Sequence, residues 1–159
     1  MREPTNPTAL KFQGQLELMA LEGKVVEFEQ TTQTAADAAA AIGCDVGQIV
    51  KSLIFKTEDT NKPVLVFTSG SNRVDVAKVE ALVDEALDKA DADFVREVTG
   101  YAIGGVPPFG FEPLELTFMD EDLNGHEEIW AAAGTPNAVF PLTPQELLNH
   151  TKARVVKVA

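Results

Sequence analysis

An α+β fold around a mixed, curled sheet is what this sequence predicts, and three observations predict it. Strand-like and helix-like runs follow one another without the strict alternation that builds parallel βαβ units. One run, Ile49 to Phe55, is apolar on both faces, as a strand in the interior of a sheet is. The helical stretches are short and carry their own capping residues. The 159 residues fit a single domain spanning 1–159, long enough to bury most of its apolar surface.

Pro7 to Leu21 has helical spacing, with Phe12, Leu16 and Met19 on its apolar face. Asn6 and Pro7 supply its cap and first-turn proline, while Gly14 weakens its middle. Lys24 to Glu29 alternates like an edge strand. Thr34, three residues before Asp37, opens an alanine-rich helix that stops at Gly43. Ile49 to Lys56 and Pro63 to Thr68 are strands joined by the polar turn Glu58 to Asn61. Helical spacing returns over Asn72 to Val83 through Val76, Val79 and Val83, and again over Asp91 to Val98, closed by Gly100. Leu114 to Met119, Glu128 to Ala132 and Ala138 to Leu142 are strand-like. Thr143-Pro144-Gln145-Glu146 combines an N-cap, a proline at the first helical position and a reciprocal glutamate. The helix it starts gives way to a last strand, Ala153 to Val158.

Two features carry chemistry. The stretch Thr99 to Gly110 packs four glycines and two prolines into twelve residues, which neither a helix nor a central strand tolerates. Gly104-Gly105 leaves amides uncovered by any β-carbon on a loop stiffened by Pro107 and Pro108. Such a loop is either a tight structural turn or a main-chain site for a carbonyl or carboxylate oxygen. The second feature is Lys51, a cation inside the doubly apolar strand, on the face of Ile49, Leu53 and Phe55. A half-buried lysine either snorkels to water from a strand end or is fixed toward an anionic or hydroxyl-rich ligand.

The remaining inventory excludes more than it offers. Ser52, Ser69 and Ser71 lack a nucleophile-elbow setting, and His126 and His150 have no metal-ligand spacing, so neither a hydrolytic triad, a metal nor a cofactor is expected. Cys44 reads as a small buried residue; one cysteine forms no internal disulfide and fits a reducing cytoplasm. Asp120, Glu121 and Asp122 read as a solvated turn and helix cap. No apolar run reaches membrane-span length, and Met1-Arg2-Glu3-Pro4 opens onto polar residues, so neither a membrane partner nor a signal peptide is expected. The net charge is −12, and no Lys or Arg lies between Arg96 and Lys152. Broad contact with DNA or any duplex is therefore excluded. A local contact near Lys51, Lys56, Lys62, Arg73 and Lys78, of the size of a single-stranded end, is not.

Four segments in order carry a resemblance: Lys51-Ser52-Leu53; Thr99-Gly100-Tyr101 with Gly104-Gly105-Val106-Pro107-Pro108; Ala133-Gly134-Thr135; and Leu142-Thr143-Pro144. The chain resembles the YbaK-like aminoacyl-tRNA deacylases, relatives of the editing domain inserted in bacterial prolyl-tRNA synthetase. The likeness runs from about Thr34 to the C-terminus. It implies a compact α+β fold with a mixed, barrel-like sheet, and hydrolysis of the ester joining a wrong amino acid to the 3′-terminal adenosine of tRNA. It further implies Lys51, Gly104 and Gly105 as catalytic residues, the lysine beside the adenosine and the glycines lining the aminoacyl pocket. Thr99, Gly100, Tyr101, Val106, Pro107, Gly134 and Thr135 follow as substrate-binding positions, with Asp120 matching a recurrent acidic residue. Where some relatives carry a histidine, this sequence continues Pro136-Asn137. The implied partners are the aminoacyl-tRNA acceptor end and a synthetase, in the cytoplasm. The attacking group stays open between water, a ribose hydroxyl and the substrate's own side chain. A binding module docked to a synthetase and a small-ester hydrolase are the alternatives to a tRNA deacylase.

Overall fold

The doubly apolar strand lies inside a five-stranded mixed sheet. In the computed structural model, which describes residues 1–29 and 34–159, β2 (Val50–Thr57) pairs antiparallel with β3 (Pro63–Ser69) from Val50↔Ser69 to Lys56↔Pro63. β3 runs parallel to β5 (Leu116–Asp120), which runs parallel to β8 (Arg154–Val156). On its other edge β2 meets β4 (Leu87–Lys89) only over Phe55 to Thr57. A second, antiparallel sheet orders β1 (Val26–Glu27), β7 (Ala138–Leu142) and β6 (Ile129–Ala132). Among the described residues the two sheets are linked through one parallel bridge, Ile49↔Trp130. The barrel-like curl is thus two ladders meeting at a corner, not a closed barrel. Because β4 is so short, among the described residues no strand pairs with β2 from Val50 to Leu53 on that side, and an opening forms there.

Side-chain parity on β3 divides the interior. Leu65 and Phe67 face a main core in which the rings of Phe12, Phe109 and Phe140 lie 5.1 to 5.9 Å apart. Val64 and Val66 face a smaller cluster with Val79, Leu87, Phe118 and Val158. The helices start where capping side chains put them. α1 (Pro7–Leu18) is capped by Asn6, α2 (Ala35–Ile42) by Thr34 and α4 (Ala92–Thr99) by Asp91, with Gly43 and Gly100 in left-handed conformations at the ends of α2 and α4. α5 (Pro144–Thr151) carries the full capping box between Thr143 and Glu146. α3 (Val76–Val83) begins at Asp75, whose carboxylate accepts from the Ala77 amide, so residues 72 to 75 are loop where helix was expected. The edge strand expected over Lys24 to Glu29 shrinks to Val26–Glu27, and β4, absent from the sequence reading, is added. No described helix is long and apolar enough to cross a membrane.

Candidate functional site

Lys51 reaches the site because its neighbours are committed elsewhere. Val50 and Ile54 point into the main core, so alternation sends Lys51 to the opposite face, half-buried. Its ammonium donates to the main-chain carbonyl of Asn72 at 2.7 Å, so it is fixed rather than loose in solvent. Burial pushes the Lys51 pKa below the ordinary lysine range, the nearby Arg73 guanidinium pushes it further, and the Asp120 carboxylate pulls the other way.

Asp120 caps the 3-10 turn Glu121–Gly125, accepting from the Asp122 amide at 3.0 Å. It is only 1 % exposed, which corrects the expectation of solvation at this one position, while Glu121 and Asp122 are exposed. The parallel run of β3 and β5 carries it beside the end of β3, where Oδ2 accepts from the Ser69 amide at 3.0 Å and from Asn72 Nδ2 at 2.9 Å.

The two adjacent glycines do different things. Gly105 is a close-approach residue: a β-carbon there would sit 2.8 Å from Thr135 Cα and 2.9 Å from the Gly134 carbonyl oxygen. Its amide donates to Ala102 and its carbonyl accepts from the Gly134 amide. Gly104 is exposed, with φ +89°, and a β-carbon there would meet Pro136 Cγ at an ordinary contact distance of 3.8 Å. Among the described residues the amides of Gly104 and Val106 have no hydrogen-bond partner. Those two residues line the cavity and Gly105 does not.

That cavity, about 320 Å³, opens at the unpaired edge of β2. Lys51, Gly104 and Val106 share its wall with Ile49 and Trp130 at the corner between the sheets, Ala35 and Ala38 of α2, and Pro136. A second cavity of about 410 Å³ adjoins it across Ser52, Leu53, Ile103, Gly104 and Val106. It continues between Phe55, Leu87, Ala90 and Val95, almost wholly apolar apart from Ser52 and Lys89.

The other positions named from the sequence do not line either cavity. Thr99 is buried, its hydroxyl donating to the Val95 carbonyl at 2.7 Å and accepting from the Tyr101 amide at 3.1 Å. Tyr101 belongs to the main core, and burial raises its pKa. Gly100 ends α4, and Pro107 is buried. Gly134, at φ +103°, stands against Tyr101, and Thr135 bonds Asn137; the segment reaches the cavity through Pro136. Thr99, Gly100, Tyr101, Pro107, Gly134 and Thr135 thus do not share the cavity wall with Lys51.

Sequence reasoning missed Asn72, Trp130 and the apolar cavity. For Trp130 a signal existed: Ile129 and Ala131 are core residues, so parity alone turns the chain's single tryptophan outward. Among the described residues no group of three or more His, Cys, Asp or Glu is placed to hold a metal ion.

Known proteins share this architecture. A crystal structure of a candidate trans-editing enzyme for prolyl-tRNA synthetase is 48 % identical, superposes with a TM-score of 0.90 and covers 98 % of both chains. The uncharacterised protein YwhH of Bacillus subtilis is 31 % identical over 134 residues, which is 84 % of this chain and 85 % of that one. The proline–tRNA ligase of Thermosipho melanesiensis is 30 % identical over 108 residues, 66 % of this chain but 19 % of the ligase. The model of the aminoacyl-tRNA editing domain matches residues 29–150, a span holding Lys51, the glycine loop and Trp130; the chain belongs to that family.

Proposed function

We propose that the protein is a free-standing deacylase that hydrolyses the ester between a wrong amino acid and the 3′-terminal adenosine of tRNA. The observation that carries this reading is the shared wall of Lys51, Gly104 and Val106 around one cavity. Amides of Gly104 and Val106 hold the ester carbonyl and stabilise the oxyanion as it forms, an effect on the order of 3 kcal/mol per donor. Gly105, its own amide engaged, sets the loop at the right height. Lys51 holds the ribose or the last phosphate, with Arg73 beside it as a second cation. The flat face of Trp130 suits the adenine, since base–aromatic stacking contributes about 1–3 kcal/mol. The aminoacyl side chain then enters the neighbouring apolar cavity. Water attacks the carbonyl carbon directly, or opens the ester or cyclic product left by a prior attack of a ribose hydroxyl or of the substrate's own side chain; the acyl–oxygen bond breaks, the amino acid leaves as the free acid and the adenosine hydroxyl keeps the proton.

Small residues such as cysteine, alanine, serine or threonine, carried by tRNA for proline, are the substrates the family relationship favours. The test is a panel of mischarged tRNAs together with free aminoacyl esters. Deacylation of at least one tRNA, lost by about a hundredfold or more in a folded Lys51→Ala variant, is expected. Wild-type turnover in that variant removes the lysine. Equal turnover of free esters makes the protein a small-ester hydrolase. No turnover, with retained synthetase binding, makes it a docking module, for which the exposed carboxylates between Glu112 and Glu128 would face a basic partner.

A further inference from the structure

Lys51 is held by a carbonyl, although a carboxylate lies one residue further back. The ammonium donates to Asn72 O at 2.7 Å. The side chain of that same Asn72 donates from Nδ2 to Asp120 Oδ2 at 2.9 Å and to Asp122 Oδ2 at 2.7 Å. Asp120 Oδ2 also takes the Ser69 amide, and the Asn72 amide donates to the Ser69 carbonyl at 2.9 Å. A 1 %-exposed carboxylate therefore grips both ends of the turn that presents the carbonyl. We propose that Asp120 is the positioning residue for Lys51, acting through Asn72. The proposal rests on the deacylase reading only for its catalytic consequence.

The arrangement has a physical logic that a direct ion pair lacks. A lysine bonded to a carboxylate spends its charge there and offers less to a phosphate or an oxyanion. A carbonyl takes one of the three ammonium donors and leaves the others and the net charge available. Asp120, one link removed, supplies negative potential without competing for the ligand. The charged groups facing Lys51 are Arg73 from the loop after β3 and Asp120 from β5, with Asp122 of the following turn touching Asn72. Arg73 disfavours the ammonium and Asp120 favours it. Neutralising Asp120 leaves burial and Arg73 unopposed, so the lysine releases its proton at lower pH. Asp122 is exposed, and water replaces its bond to Asn72.

The experiment reads Lys51 without tRNA. Acetylation of its amine by acetic anhydride is followed across pH by peptide mass spectrometry in the full chain, for wild type, Asp120→Asn, Asn72→Ala and Asp122→Asn. The Asp120→Asn midpoint is expected to move to lower pH while that of Asp122→Asn stays. Asn72→Ala keeps the carbonyl but frees its turn, so Lys51 is expected to react faster at every pH than in wild type. In deacylation, Asp120→Asn is expected to lose about tenfold to a hundredfold in kcat with KM little changed, its basic limb shifted toward acid. A folded Asp120→Asn protein with the wild-type midpoint overturns the proposal. If that variant does not fold, wild-type Lys51 reactivity in Asn72→Ala overturns it. Shifted midpoints in a protein that deacylates no tRNA sink the deacylase reading and leave the relay standing. Unshifted midpoints in an active enzyme do the reverse.

Discussion

At position 105 a side chain would have to enter the space of Thr135 Cα at 2.8 Å and of the Gly134 backbone at 2.9 and 3.0 Å. All three contacts are main chain, which cannot rotate away, so the two segments would have to part. Gly105→Ala is expected to cost about 1–3 kcal/mol and lower Tm by roughly 3–10 °C, read by thermal denaturation. Gly104 differs in kind. A β-carbon there would meet Pro136 Cγ at 3.8 Å, so an alanine fits sterically and is opposed only by the left-handed backbone at φ +89°. Gly104→Ala is expected to cost about 1 kcal/mol in stability yet to lose most of the deacylase activity, because the methyl group stands where the ester must approach. If Gly104→Ala keeps full activity, the amide at 104 is not an oxyanion donor. A repeated glycine thus hides two separate demands, close packing at one position and open access at the other.

At the scale of single elements, capping chemistry fixes where helices start, and that chemistry is local. Thr143 Oγ1 accepts from the Glu146 amide at 3.1 Å, and the Glu146 carboxylate accepts from the Thr143 amide at 2.8 Å. Thr143→Ala is expected to cost about 1 kcal/mol and roughly 2–4 °C in Tm, with the KM for tRNA unchanged because α5 lies off both cavities. Boundaries written by such short-range bonds were legible: the starts of α2, α4 and α5 and the interior strand β2 follow from neighbouring residues. Those that depend on partners far along the chain were not. The helical spacing opens at Asn72, three residues before Asp75, but the Asn72 side chain is claimed by Asp120 and Asp122, about fifty residues away, and the helix waits for Asp75. β4 has one buried residue in three, too little pattern to read, and exists because β2 offers it an edge. Lys51 and the glycine loop were visible as chemistry. That they share a cavity followed from the family resemblance and not from the residues alone, since the opening exists only because β4 stops short and the two sheets touch at a corner.

Across the whole molecule, charge sets how nucleic acid can approach. The chain carries −12 overall, and the carboxylates at 112, 115, 121, 122, 127 and 128 are exposed. A duplex laid along this surface meets repulsion, whereas a single strand threaded toward Lys51 and Arg73 meets a local pair of cations. Counterion release makes the two modes measurable. A single-stranded contact of one or two phosphates gives a slope of log K against log salt of about −0.7 to −1.4. Affinity for an acceptor-stem oligonucleotide ending in CCA should then weaken only about threefold to sevenfold between 50 and 200 mM salt. Arg73→Ala should remove roughly half of that slope while leaving fluorescence quenching of the single tryptophan, Trp130, by bound adenosine intact. A slope of about −4 or steeper would require a basic track of several residues. No such track runs along the stretch from Arg96 to Lys152, which has neither Lys nor Arg between its ends, so that result would extend the tRNA contact over Lys56, Lys62 and Lys78 and overturn one confined to Lys51 and Arg73.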